Sequence, residues 1–246
     1  MLKQLTTRAA SAVPLTPLTN SGLARWLRQA KAPARAWVKK TSFAAKAGET
    51  CHLPGNKPAV LLGLGDGSGG PWAWGGLPAS LPKDTYRITP EPDAAMASDA
   101  ALGWALGSYR FGRYKKMTPP RAMLVWPKNA DRPYVEAAAE AVFLARDLIN
   151  TPANDMGPPE LAAAARDLAK RFGARCKVIS GDDLLKQNYP MVHAVGRASS
   201  KPPCLIDITW GSPSAPKLTL VGKGVCFDSG GLDIKSASNK IGRAHV

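Results

Sequence analysis

The stretch VGKGVCFDSGGLDIK, Val221 to Lys235, carries most of the information about the fold of this sequence. It combines four glycines with two lysines and two aspartates, and it follows the apolar run KLTLVG (217–222), which predicts a β-strand. Ligands bind at the carboxyl ends of strands in open α/β sheets. The stretch therefore predicts an α/β fold with a ligand-binding or catalytic loop after a strand.

Two simpler interpretations compete with a catalytic loop. A phosphate-binding loop is excluded in its common forms, because the patterns GxxxxGK[ST] and GxGxxG are both absent. A solvated surface turn with scattered charges fits the composition about as well as a functional loop does. The order of the residues in FDSGG, more than their number, favours the functional interpretation.

The region upstream of the loop alternates between predicted helices and strands, which indicates a second α/β unit over 128–240. Helices are predicted over 134–150, 158–173 and 182–187, and strands over 176–180 and 204–210. The polar stretch PKNADRP (127–133) marks the boundary with the preceding part of the chain.

The first 127 residues predict a smaller α/β domain. A basic helix is predicted around 22–40, where Pro33 leaves open a single interrupted helix or two short ones. Strands are predicted over 57–65, 85–89 and 121–127, a helix over 93–111, and Gly/Pro-rich turns over 66–82 with a short helix from Leu77.

The composition is that of a globular protein with an unusual charge. The 246 residues are 45% hydrophobic and carry a formal net charge of +15. No acidic residue occurs from Met1 to Gly48, so a basic nucleic-acid-binding protein is an alternative to an enzyme. The apolar runs are far shorter than a membrane span requires. The four cysteines contain no CxxC pair, which fits reduced thiols in the cytoplasm.

Several other residues have chemistry that a site could use, but a structural role is expected for each. His193 stands alone in the second unit, and a single histidine is more often structural than a metal ligand. Cys226 lies inside the loop, where a small packed residue is the favoured interpretation. Trp72 and Trp74 could stack on a ligand, although packing of their own turn is favoured.

Three segments together resemble the leucyl (cytosol) aminopeptidase family of two-metal peptidases. VGKGVCFDSGGLDIK resembles the signature loop of that family, and NTPANDMGPPELA (150–162) resembles the turn between two helices at the start of its catalytic domain. MVHAVGRASSKPP (191–203) matches a third family stretch, and GPWAWGGLP resembles the N-terminal domain of some members more weakly. The resemblance covers about 134–240.

The resemblance implies a fold, an activity and residue roles. The family releases N-terminal amino acids from peptides, uses two divalent ions such as manganese or zinc, and assembles as homo-hexamers. Lys223 corresponds to a metal ligand, Asp228 to the carboxylate that bridges both metals, and Lys235 to the lysine that polarises the substrate carbonyl. Asp233 has no metal role in the family pattern. The chain would then hold an N-terminal domain (1–127) and the first part of a catalytic domain (128–240).

The resemblance also implies that part of the site is missing. The family has a further aspartate ligand where this sequence has Val246, and later an Asp-x-Glu-x-Arg cluster with two more ligands. The agreement stops at Ile241, and the codons ATC GGA AGA GCA CAC GTC, which encode IGRAHV, match a common sequencing adapter. We therefore expect 241–246 to be a non-native tail, the chain to be a C-terminally truncated member, and the fragment to be inactive.

Overall fold

Two sheets of very different size organise the chain. The computed structural model describes residues 2–8, 11–55 and 57–236. The chain folds as two compact units that divide after Ala145, and a six-stranded sheet lies in the first while a two-stranded sheet lies in the second. The predicted domain boundary after Pro127 stays a prediction.

The six-stranded sheet is mainly parallel. Its strands are β1 (Leu5–Thr6), β2 (Val13–Leu18), β3 (Thr50–Leu53), β4 (Ala59–Gly63), β5 (Thr85–Ile88) and β6 (Met123–Val125). Their spatial order is β1-β6-β5-β2-β4-β3, and β3–β4 is the antiparallel pair. Parallel strands need crossover connections, and helices supply them here. The predicted α/β fold class is confirmed.

Helices cover both faces of this sheet because successive strand residues point to opposite sides. The helices of the first unit are α1 (Asn20–Gln29), α2 (Ala32–Lys40), α3 (Leu77–Ser80) and α4 (Ala94–Ser108), with a 3-10 turn at Gly70–Trp74. Helix α5 (Arg132–Asn150) begins in the first unit and ends in the second. Leu62 packs in the apolar cluster that contains Trp104 of α4, whereas its neighbour Leu61 packs with Val38 of α2.

The basic segment near the start of the chain forms two helices rather than one. Thr19 caps α1 by accepting a hydrogen bond at Oγ1 from the backbone N–H of Gly22 (3.1 Å). The chain is extended at Ala30 and Lys31, and Pro33 lies in the first turn of α2, where its missing N–H costs nothing. The alternative of two short helices is therefore correct.

The second unit is a small layer of helices on an antiparallel strand pair. It contains α6 (Pro158–Arg171), β7 (Arg175–Ser180), α7 (Asp183–Lys186), α8 (Pro190–Gly196) and β8 (Cys204–Thr209). Strands β7 and β8 pair from Arg175 opposite Thr209 to Ser180 opposite Cys204. The sequence did not predict α8, a seven-residue helix with Pro190 in its first turn.

The strand predicted over 217–222 is wrong for this chain. The structure has neither helix nor strand between residues 210 and 236, and Leu218, Leu220 and Val221 are 83%, 86% and 94% exposed. A strand exists only when neighbouring backbone pairs with it, and among the described residues β7 and β8 pair only with each other. The apolar pattern indicates a local preference for a strand, but no neighbouring strand among the described residues pairs with this segment.

None of the helices in the described ranges is long and apolar enough to span a bilayer.

Candidate functional site

The loop of residues 221–236 has a defined local geometry. Gly230 and Gly231 have φ values of 90° and 68°, in the region that side chains other than glycine rarely adopt. A Cβ on Gly230 would also collide with the carbonyl oxygen of Asp233. The backbone N–H of Lys235 donates to the carbonyl oxygen of Ser229 (2.9 Å), which closes the turn.

This turn brings the predicted bridging carboxylate and the predicted catalytic lysine into contact. Lys235 Nζ donates to Asp228 Oδ2 at 2.8 Å, and the backbone N–H of Gly230 donates to Asp228 Oδ1 at 2.9 Å. The hydrogen bond from Lys235 is the largest cause that lowers the pKa of the Asp228 carboxyl, followed by the Gly230 N–H and the Lys235 charge. Asp228 is therefore a carboxylate beside an ammonium group.

Lys223 lies on the exposed first part of the loop. Its positive charge also lowers the pKa of Asp228, as the smallest of the contributing causes. The structure thus places Lys235 in direct contact with Asp228, while Lys223 is linked to that carboxylate only through its charge.

The donor set does not by itself fit a two-metal centre. Within residues 2–8, 11–55 and 57–236, no group of three or more histidine, cysteine, aspartate or glutamate side chains could hold a metal ion. Lys223 and Asp228 supply two candidate ligands, whereas a zinc ion in a protein usually has about four ligands and a magnesium or calcium ion about six or more. The predicted position at Val246 lies outside the described residues, as does the whole of 241–246.

The loop lies against the second of the three segments singled out from the sequence. A Cβ on Gly224 would lie 3.1 Å from Leu161 Cδ2 of α6, so the absence of a side chain lets the loop approach this helix closely. Leu161 belongs to the NTPANDMGPPELA turn, in which Thr151 and Met156 are buried. These two buried side chains anchor the turn that precedes α6.

The third segment is tied to the same turn by an interaction that the sequence analysis missed. Lys201 Nζ donates to Glu160 Oε2 and to the carbonyl oxygen of Asn154, both at 3.0 Å. Glu160 Oε2 also accepts from the backbone N–H of Gly157 (2.9 Å), at the start of α6. A glutamate three residues after the residue that precedes a helix signals such a cap, although no sequence signal gives Lys201 as its partner.

The residues expected to be structural show varied surroundings. His193 Nε2 lies 3.2 Å from Asp182 Oδ1, away from the loop in sequence. Cys226 is partly buried and remains a free thiol, like Cys51, Cys176 and Cys204. Trp74 is buried in the core of the first unit, whereas Trp72 is 72% exposed.

Two family models match separate parts of the chain. The model described as "Cytosol aminopeptidase family, catalytic domain" matches residues 143–243. The model described as "M17 aminopeptidase, N-terminal domain" matches residues 13–127. Both models describe domains of one family, and together they account for most of the chain. The chain belongs to the cytosol aminopeptidase family. The predicted family is thereby confirmed.

Individual cytosol aminopeptidases agree with this assignment. A protein named probable cytosol aminopeptidase from Rhizobium meliloti (strain 1021) is 35% identical over 234 residues, which are 82% of this chain and 47% of that protein. The crystal structure of cytosol aminopeptidase from Coxiella burnetii is similar with a TM-score of 0.85 and 41% identity, over 97% of this chain and 53% of that one. The chain thus spans about half the length of the relatives that it matches.

A further solved structure carries a metal. The bottromycin maturation enzyme BotP in complex with Mn is 31% identical with a TM-score of 0.69, over 93% of this chain and 51% of that one. The manganese ion was observed in BotP. The similarity between BotP and this chain is one of fold and sequence.

Proposed function

We propose that this chain is part of a metal-dependent aminopeptidase that releases N-terminal amino acids from peptides in the cytoplasm. The contact between Asp228 and Lys235 at 2.8 Å is the observation that carries the proposal. Asp228 is a carboxylate that can ligate divalent cations, and Lys235 can donate a hydrogen bond to a substrate carbonyl. Both lie within the segment that the catalytic-domain model of the family matches. BotP, a relative, binds Mn, and a leucyl aminopeptidase of the same fold from Trypanosoma brucei binds bestatin.

Lys223 and Asp228 are proposed to hold the divalent ions, manganese or zinc. A carboxylate has two oxygens and can bridge two cations, which suits Asp228 to the position between them. An amine binds a cation only through its lone pair, so Lys223 must lose a proton when it binds a metal. Bound ions of this kind polarise a peptide carbonyl and lower the pKa of water.

Lys235 is proposed to keep its proton and to hydrogen-bond the carbonyl oxygen of the substrate. Its side chain is already oriented by Asp228, because Lys235 Nζ donates to Asp228 Oδ2 at 2.8 Å. An ammonium group near a carbonyl oxygen stabilises the negative charge that develops during hydrolysis. In this proposal Asp228 would hold the divalent ions and Lys235 would hydrogen-bond the substrate carbonyl, two roles filled by neighbouring side chains.

The proposed activity belongs to a protein longer than this chain. Two ligands are too few for two ions, so residues 1–246 alone are expected to bind metal weakly and to leave peptides uncleaved. In this proposal 1–127 is an N-terminal domain, 128–240 is the first part of the catalytic domain, and 241–246 is a non-native tail. The complete protein is expected to form homo-hexamers, as its family does.

The experiment uses a longer form of the protein, in which the chain continues past residue 239 and includes the Asp-x-Glu-x-Arg cluster of the family. In it, Asp228→Asn and Lys223→Ala are expected to abolish manganese binding and leucine-amide hydrolysis together. Lys235→Ala is expected to retain the metal but to lower kcat by about 10²–10³, the usual effect of removing one oxyanion donor.

The matched control is Asp233→Asn, which removes a carboxylate from the same loop without a proposed role. It should leave both metal content and kcat within a few fold of the parent. Retention of full activity by Asp228→Asn, or an equal loss in Asp233→Asn, would contradict the assignment of Asp228.

A further inference from the structure

The connection between α4 and β6 is long and has no regular structure. Residues 109–122 contain neither helix nor strand, which is unusual because most connections within compact domains have about four to six residues. Long irregular loops in compact domains are commonly functional or disordered. This connection, YRFGRYKKMTPPRA, is called the basic loop here, and it lies entirely in the first unit.

Both ends of the basic loop are fixed to the first unit. The Tyr109 ring packs against Phe143 of α5 with 5.4 Å between ring centroids. Arg110 Nη1 donates to the carbonyl oxygens of Gly107 and Tyr109 at 3.0 and 2.6 Å, and thereby caps the end of α4. At the other end Ala122 is fully buried. The loop therefore presents its middle to solvent from a rigid base.

The exposed middle of the loop carries positive charge without compensation. No aspartate or glutamate occurs between Asp99 and Asp131. Four cations of the loop are exposed, and none forms an ion pair in the part of the chain that the structure describes: Arg113, Lys115, Lys116 and Arg121. Such a cluster attracts polyanions, because nothing nearby in the sequence neutralises it.

Aromatic rings are interleaved with these cations. Tyr114 is 53% exposed, its ring lies 5.9 Å from that of Phe111, and the guanidinium of Arg113 lies 5.5 Å from the Tyr114 ring centroid. Proteins that bind single-stranded nucleic acid combine cations that follow the phosphates with exposed rings on which bases stack. The basic loop offers both within four consecutive residues, 113–116.

The other basic surface of the first unit lacks this combination. Helices α1 and α2 also carry exposed cations, but their tryptophans, Trp26 and Trp37, pack against the cluster that contains Leu61. The apolar side of these helices is therefore largely packed against the first unit, which leaves little of it to insert into a membrane surface. Lys40 Nζ lies 5.6 Å from the centroid of the Trp37 ring, but that ring is partly buried against this cluster, whereas Tyr114 of the basic loop is 53% exposed.

We infer that the basic loop binds single-stranded nucleic acid, with Arg113, Lys115 and Lys116 on the phosphates and Tyr114 stacked on a base. This binding is independent of the peptidase chemistry, since the loop lies in the first unit and uses none of Lys223, Asp228 and Lys235. Recognition through charge and stacking requires no particular base order.

The test measures binding of the 246-residue chain to a fluorescein-labelled single-stranded DNA by fluorescence anisotropy. The probe has about 20 nucleotides of mixed sequence, more than the roughly 4–16 that one binding module occupies. The triple variant Arg113→Ala, Lys115→Ala, Lys116→Ala is expected to lose affinity at least tenfold. The slope of log K against log salt should become shallower by about 2, or ~0.7 for each lost phosphate contact.

A second triple variant, Lys31→Ala, Arg35→Ala, Lys39→Ala, is the matched control. It removes the same charge and the same residue types from the exposed side of α2 and its start. The inference predicts a much smaller loss of affinity for this variant than for the loop variant. Equal losses in the two variants would overturn it, because binding would then follow net charge alone.

Tyr114→Ala separates stacking from charge. It is expected to weaken binding about 5- to 150-fold, the range for loss of one base–aromatic stack, with the salt slope unchanged. Tyr114→Trp keeps an aromatic ring at this position and should bind the oligonucleotide about as tightly as the parent chain does. No effect of Tyr114→Ala, or binding to phosphatidylserine vesicles with none to the oligonucleotide, would overturn the inference. Far-UV circular dichroism checks that every variant stays folded.

Discussion

Two tryptophans of the 3-10 turn illustrate how far a residue's surroundings depend on packing. Trp74 is 2% exposed and belongs to the core that contains Trp104, whereas Trp72 is 72% exposed. The sequence favoured packing for both, because a Gly/Pro-rich turn gives no periodicity that separates an inward from an outward side chain. Only the contact with α4 decides which ring is buried.

We predict that Trp74→Ala lowers the free energy of unfolding by about 3–5 kcal/mol, because it leaves a large cavity in the core. Trp72→Ala removes the same side chain from an exposed position and should change this free energy by less than about 0.5 kcal/mol. Chemical denaturation followed by far-UV circular dichroism measures both. Similar losses for the two variants would show that the turn is packed differently.

The cap at the start of α6 gives a prediction about pH. The hydrogen bond from Lys201 is the main cause that lowers the pKa of Glu160 from its ordinary value of 4.5. Because this pKa is lower in the folded than in the unfolded state, the stability that Glu160 contributes is present above about pH 4.5. It is lost as the pH falls through the folded-state pKa.

Glu160→Gln should therefore be less stable than the parent at pH 7, and the difference should shrink as the pH is lowered towards 3. Glutamine can still accept from the Gly157 N–H, so the loss reports the charge. Free energies of unfolding measured across this range test the prediction. In a Lys201→Met background the difference should be smaller at every pH; a difference that does not depend on pH would contradict the assignment.

At the scale of elements, α4 depends on two positions without side chains. A Cβ on Gly103 would collide with the carbonyl oxygen of Pro71, and one on Gly107 with that of Gly75. The two glycines are four residues apart, on one face of the helix, and they let the 3-10 turn approach its backbone. The sequence predicted the helix but gave these glycines no role, since a glycine inside a helix usually only weakens it.

Gly103→Ala is expected to lower the free energy of unfolding by about 1–3 kcal/mol through overpacking, although alanine is the better helix former by about 1 kcal/mol. The control is Gly76→Ala, at an exposed glycine with no atom within 4 Å of the added Cβ and an ordinary φ of −76°. It should be nearly neutral. A neutral Gly103→Ala in thermal or chemical denaturation would mean that the turn moves away freely.

Elements with strong local signals were predicted well. Helical spacing and composition gave α4 and α5, and flanking proline and glycine gave α6. Apolar runs gave β4 and β6, and alternation gave β5, each within a few residues. Two of the errors share a cause, because strand 217–222 and the short strand β3 depend on pairing partners that no local pattern reveals. For the former the partner is absent from the described structure, and for the latter it is β4.

At the scale of the whole molecule, the sequence predicted the family and the loop but not how the loop is held. The order of residues in VGKGVCFDSGGLDIK was sufficient to predict the family. The positive φ of Gly230 and the contact between Asp228 and Lys235 are both local to this stretch. The ties between the segments, Gly224 to Leu161 and Lys201 to Glu160, join residues 41 or more positions apart. Such contacts depend on the tertiary fold, and the pattern of a single sequence does not predict them.

The second unit also leaves apolar side chains in solvent. Phe227, Leu232 and Ile234 are 66%, 108% and 73% exposed, beside the residues of 217–222. A longer protein would be expected to cover such a surface, which agrees with a chain that spans about half of its relatives. The loop is thus proposed to hold one part of a metal site whose other ligands belong to the remainder of that protein.

Manganese titration of the 246-residue chain, combined with a leucine-amide hydrolysis assay, tests this account most directly. Calorimetry on the chain and on its Asp228→Asn variant reports how many ions bind and how tightly. We predict weak binding that falls short of two ions, and hydrolysis no faster than in the variant. Two tightly bound ions with hydrolysis that disappears in Asp228→Asn would contradict the account.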